Sequence, residues 1–90
     1  MKALISKYLK YLRVERNASE HTIISYENDL SSFLDFTAKV NEQKPEQVDI
    51  SLITRLSIRL WLGDLSEQGL AKTSIARKVA ALRSFFKYCF

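Results

Sequence analysis

Residues 70–90, LAKTSIARKVAALRSFFKYCF, hold five basic side chains (Lys72, Arg77, Lys78, Arg83 and Lys87) and no acidic one. At 3.6 residues per turn the stretch reads as a single amphipathic helix. Ile75, Val79, Leu82, Phe86 and Cys89 form its apolar stripe. Thr73, Arg77, Ala80 and Ser84 lie opposite, with Ala81 and Lys87 beside them. Two small residues and a hydroxyl set between cations let a helix backbone come close to a polyanion, and such a face suits duplex DNA.

Three more helices can be read upstream. Lys2 to Arg16 carries an apolar stripe of Ile5, Tyr8, Leu9 and Leu12, and Asn17-Ala18-Ser19 breaks it. Ser19 is an N-cap residue with Glu20 in the following turn, where negative charge favours the helix dipole. The second helix runs from Glu20 to Lys39, with Ile23, Tyr26, Leu30, Phe33, Leu34 and Thr37 on one face. Asn41 to Val48 is polar, contains Pro45 and reads as the main loop. Asp49 or Ser51 is expected to cap the third helix, which ends before Gly69 at the C′ position. Leu52, Ile53, Leu56 and Leu60 make one stripe of that helix, and Ile58, Trp61, Leu62 and Leu65 spread around the rest. A helix apolar on most sides is expected at the centre of a bundle, and Gly63 within it costs about 1 kcal/mol relative to Ala, which close packing against a neighbouring helix would offset. The short Leu70-Ala71-Lys72 link is then expected to fold helix four back against helix three.

Composition bounds the function. Ninety residues make one small domain that can fill a single core without metal or disulfide. Two glycines and one proline leave little room for the turns of an all-β fold. No apolar run approaches the roughly 20 residues that span a bilayer, so no membrane partner is expected. The start MKALISKYLKYLRVER lacks a signal-peptide core, and the lone Cys89 agrees with a reducing compartment; the expected location is the cytoplasm. Net charge is +4, but its distribution says more: +4 over residues 1–16, −3 over 17–40, −2 over 41–69 and +5 over 70–90. Local field, rather than net charge, is what a polyanion meets.

Catalysis has little support. His21 is the only histidine, which removes histidine-based metal clusters and Ser-His or Cys-His nucleophile pairs with a third orienting group. Cys89 sits on an apolar stripe, the carboxylates are scattered, and no glycine-rich loop could hold a phosphate. Tyr8 and Tyr26 fall on or beside apolar stripes, while Tyr11 and Tyr88 are candidates for exposure, and none has a set of arginines and histidines around it. No catalytic residue, metal site, cofactor or small-molecule substrate is expected.

Two blocks of the chain resemble a known family. The run YLKYLRVERNASEHTIISYENDLSSFLDF (8–36) carries Leu9, Leu12, Glu15-Arg16, Ser19-x-x-Thr22-x-x-x-Tyr26, Asp29-Leu30 and Phe33. The run LSEQGLAKTSIARKVAALRSFFKY (65–88) carries Gly69-Leu70, Thr73, Ile75, Arg77, the Ala81–Phe86 run and Tyr88. Together, in this order and spacing, they resemble the start of Xer-type tyrosine recombinases and related phage integrases. The resemblance implies an all-α, four-helix orthogonal bundle, the SAM-like core-binding domain, with residues 1–90 forming that single domain as a fragment of a longer protein. In the family it sits on one side of the recombination site, and a separate C-terminal domain holds the catalytic arginines, lysine, histidines and tyrosine.

Contacts with double-stranded DNA are expected on two surfaces. One is the start of helix two: Ser19, His21, Thr22, Ser25 and Tyr26, near unpaired backbone N–H groups that suit phosphate. The other is helix four: Lys72, Thr73, Arg77, Lys78, Ser84 and Lys87, where Arg77 is the leading candidate for a base edge or a phosphate and Lys78 and Arg83 point sideways along the backbone. Glu27, Asp29 and Asp35 argue against a wholly DNA-facing second helix. The side of helix one bearing Lys7, Lys10, Tyr11 and Val14 is a candidate contact with other recombinase protomers in a synaptic tetramer. The competing readings are a helical protein-interaction module, which needs an exposed apolar groove, and a small helix-turn-helix regulator, which needs two short helices about a tight turn.

Overall fold

The computed structural model describes residues 1–90 and is all-helical. Its four α-helices are α1 (Lys2–Val14), α2 (Glu20–Val40), α3 (Arg55–Glu67) and α4 (Lys72–Cys89), with short 3-10 turns at Pro45–Gln47 and Ile50–Leu52. Each of the first three helices ends the same way. A residue turns left-handed (Asn17, φ 49°; Glu42, φ 54°; Gly69, φ 82°). The next N–H then reaches back into the last turn: Ala18 to the Leu12 carbonyl at 2.9 Å, Gln43 to Ala38 at 2.8 Å, and Leu70 to Leu65 at 3.3 Å. Asparagine and glycine accept that conformation readily, whereas Glu42 holds it against the Cβ penalty.

The starts are equally local. Ser19 Oγ accepts from the Thr22 N–H at 3.2 Å, as its position ahead of Glu20 predicts. Helix α3 begins later than expected. Asp49 caps the separate 3-10 turn through the Ser51 N–H at 2.9 Å, and Thr54 caps α3 in a reciprocal box with Ser57. The Thr54-x-x-Ser57 spacing is the stronger cap because each side chain satisfies the other's backbone donor.

Helices α2 and α4 each pack against all three others, and α1 and α3 lie on the flanks. The core joins Ile5, Tyr8 and Leu12 of α1, Leu30, Phe33, Leu34 and Ala38 of α2, Trp61 and Leu65 of α3, and Leu82 and Phe85 of α4. Val48 completes it from the loop, fixed by the N-terminal ammonium, which donates to its carbonyl at 2.8 Å. Phe33 meets Trp61 edge-on at 5.1 Å, and Phe85 meets Tyr8 at 5.5 Å. Truncating a ring such as Phe33 in this core costs about 3–5 kcal/mol.

The flanking place of α3 corrects the expectation of a central helix. Of the stripe Leu52, Ile53, Leu56 and Leu60, only Ile53 packs on the core; the three leucines are 72%, 63% and 46% exposed, and the buried side is Trp61 and Leu65. The indole and its fit against Phe33 fix the helix rotation, since aromatic burial outweighs that of two leucines. Gly63 shares the outer face, and a Cβ there would meet nothing within 4 Å, so no close neighbour explains it. Helix α4 is also turned from its predicted stripe: Ala81, Leu82 and Phe85 are buried, while Ile75, Val79, Phe86 and Cys89 are half-buried. Ala81 therefore leaves the polar face.

Candidate nucleic-acid interface

What remains of that face is exposed: Lys72, Thr73, Arg77, Ala80, Ser84 and Lys87, with Arg83 to one side. No acidic residue lies on α4, so the helix presents a one-sign surface along its length. Its N-cap, Ala71, has no side-chain oxygen, which leaves the first N–H groups of α4 without a side-chain cap.

Arg77 and Lys78 are not free. Both donate to Asp29 Oδ1 on α2, from Arg77 Nη2 at 3.2 Å and Lys78 Nζ at 2.9 Å. The Asp29 side chain is 1% exposed and Lys78 14%, whereas Arg77 remains 57% exposed. Lys78 is thus an internal ion-pair partner rather than a backbone-tracking cation, a correction to its predicted role. Asp29 does not present its charge to the surface either, so it is no argument against a DNA-facing α2. It ties α2 to α4 and holds Arg77 at the edge of the polar face. The sequence did contain a signal for this: Asp29 falls three residues after Tyr26 and four before Phe33, on the side of α2 that is buried, where a carboxylate requires cations.

At the start of α2, Ser19 and Thr22 hydroxyls lie 3.0 Å apart, and His21 and Thr22 are exposed. Ser25 is half-buried. No hydrogen bond or ion pair joins these four to α4. Tyr26 departs from them and joins a concavity with Ser84 and Lys87. The structure therefore brings together Tyr26, Ser84 and Lys87, and separately Arg77 and Lys78; it does not gather the predicted residues into one site. The same concavity holds Tyr8, Tyr11, Arg16 and Tyr88, which the periodicity argument left out of the DNA-contact surfaces. Arg16 arrives there because α1 ends at Val14 and the left-handed Asn17 turns the chain.

Catalytic groups are not evident at this surface. Burial pushes the Cys89 thiol up, away from a reactive thiolate. No group of three His, Cys, Asp or Glu side chains could hold a metal ion, and no helix is long and apolar enough to cross a membrane.

An all-helical bundle with an acid-free basic helix along one side is the class of domain that fold and surface define. The profile of the phage integrase N-terminal SAM-like domain matches residues 5–90, and the chain belongs to that family. It is 41% identical over 85 residues to the tyrosine recombinase XerC of Listeria innocua, covering 94% of this chain and 27% of that protein. The tyrosine recombinase XerC of Rickettsia rickettsii is 41% identical over 91 residues, covering 98% and 29%, and that of Pediococcus pentosaceus is 38% identical over 85 residues, covering 94% and 27%. The chain thus spans little more than a quarter of the length of these curated relatives. No solved structure matches it significantly.

Proposed function

We propose that residues 1–90 form the DNA-binding, non-catalytic N-terminal domain of a site-specific tyrosine recombinase, which positions the enzyme on its recombination site in the bacterial cytoplasm. Strand cutting and rejoining fall to the rest of such a protein, and further protomers of the recombinase assemble with it on DNA. The observation that carries this reading is the polar face of α4: Lys72, Arg83 and Lys87 are exposed without any ion-pair partner, and Arg77 is held in place by a buried carboxylate. Bidentate contact to a guanine edge or a phosphate suits an arginine so held. The start of α2, with Ser19, His21 and Thr22, supplies a second approach to the backbone.

A domain that neutralises about four to six phosphates loses affinity with salt at a log–log slope near −4 to −5, and its binding is about micromolar. Arg77→Ala with Lys87→Ala removes two of those charges. Fluorescence anisotropy on a labelled duplex should show markedly weaker binding and a slope shallower by about 2, with the fold intact. Unchanged binding in the double variant would mean that α4 is not the contact surface. The exposed leucines Leu56 and Leu60 of α3, with Leu52 of the preceding turn, favour a protein contact as an additional role, since DNA offers an apolar ridge little to bury against.

A further inference from the structure

All four tyrosines of the chain converge on one concavity between α1, α2 and α4. Tyr8 is the hub: its ring lies 6.3 Å from Tyr11, 6.2 Å from Tyr26 and 5.2 Å from Tyr88, and Tyr11 and Tyr88 are 4.9 Å apart. Packing alone would be served by phenylalanine, and a buried phenol normally has a partner. Tyr8, the buried one, has Ser84 before its hydroxyl, whereas Tyr11 and Tyr26 are half-buried, Tyr88 is exposed, and no protein group bonds their hydroxyls around an open concavity of about 420 Å³.

Charge decides what kind of ligand fits. Arg16 and Lys87 line the cavity, no carboxylate does, and neither cation is in an ion pair. Beside these two unpaired cations, the Tyr11, Tyr26 and Tyr88 hydroxyls are donors with no acceptor on the protein. A tetrahedral oxyanion answers all of them at once.

We propose that this tyrosine-lined concavity seats a phosphate group, with Arg16 and Lys87 supplying charge and the hydroxyls of Tyr11, Tyr26 and Tyr88 supplying hydrogen bonds. The inference rests on the duplex-binding reading for its source, a backbone phosphate; free phosphate is the other source of the same chemistry. It extends the interface from α4 onto the end of α1, because Ser84 and Lys87 belong to both surfaces. It also gives Arg16 a part that its position after the last turn of α1 does not otherwise require.

Two kinds of substitution separate the components. Tyr11→Phe with Tyr88→Phe keeps both rings and removes only hydroxyls, so duplex affinity should fall about tenfold with the salt slope unchanged. Arg16→Gln should weaken binding and make the slope shallower by about 0.9. Urea midpoints followed by the single tryptophan, Trp61, show that each variant is folded. If the unsubstituted protein binds duplex and none of these changes alters its affinity, the concavity is not a phosphate site and the duplex-binding reading stands. If the unsubstituted protein does not bind duplex, that reading falls. Inorganic phosphate titrated against protein with labelled tyrosine rings then decides: ring shifts lost in Arg16→Gln support a free-phosphate site, and unmoved rings overturn it.

Discussion

Replacing Asp29 with asparagine tests the link between core and interface most directly. Its Oδ1 accepts from Lys78 Nζ at 2.9 Å and Arg77 Nη2 at 3.2 Å, while Oδ2 is buried without a partner. Removing one member of a fully buried pair costs about 3–5 kcal/mol, because the other charge is left uncompensated. Here the two cations share that loss unequally. Arg77, 57% exposed, can turn to water; Lys78, 14% exposed, cannot do so without repacking. The new amide nitrogen also takes a place where no acceptor waits, adding to the loss. We therefore expect Asp29→Asn to cost about 2–3 kcal/mol, below the fully buried figure because Arg77 escapes.

A loss of that size lowers the melting temperature of a domain of this length by roughly 10–20 °C. Trp61, the only tryptophan and 1% exposed, reports urea unfolding cleanly. A second substitution, Lys78→Met, isolates the cause. If the stranded ammonium dominates, adding Lys78→Met to Asp29→Asn restores at least about 1 kcal/mol, a coupling typical of residues in one network. DNA binding should not follow stability down: no cation is lost, so non-specific affinity does not fall and the salt slope does not become shallower. A cost of less than about 0.5 kcal/mol, as for an ordinary surface change, or strict additivity of the two substitutions, would refute the reasoning.

Gly63→Ala should stabilise the domain by about 1 kcal/mol in urea or thermal unfolding, because it is a mid-helix glycine whose added methyl meets open space. Alkaline unfolding should depend on Tyr8, whose hydroxyl is pushed from 10.0 up to about 12, chiefly by burial and then by Tyr26. The unfolded chain releases this proton first as pH rises, so the stability that Tyr8 contributes is whole below pH 10.0 and is lost up to about pH 12. Tyr8→Phe, followed by urea midpoints across that window, should flatten the decline.

Helix existence was legible because it rests on local rules: Ser19 as a cap, Gly69 as a stop and the stripe of α2 all stand where periodicity puts them. Rotation of α3 was not, because Leu52, Leu56 and Leu60 form as good a stripe as Trp61 and Leu65, and only the fit of the indole against Phe33 chooses between them. Once Trp61 turns inward the leucines must face out. The same limit hid the candidate interface. A wheel drawn for one helix treats every cation on it as free, yet Lys78 is consumed by a carboxylate 49 residues earlier and Arg77 is steadied by it. Nor can it show that Arg16 and Tyr11, on a different helix and its closing turn, stand beside Ser84 and Lys87. The basic surface is therefore smaller along α4 than the sequence predicts and wider across the bundle. An anion bound there would touch residues of α1, α2 and α4 together, so contact with a duplex would depend on the same packing that holds the helices in place.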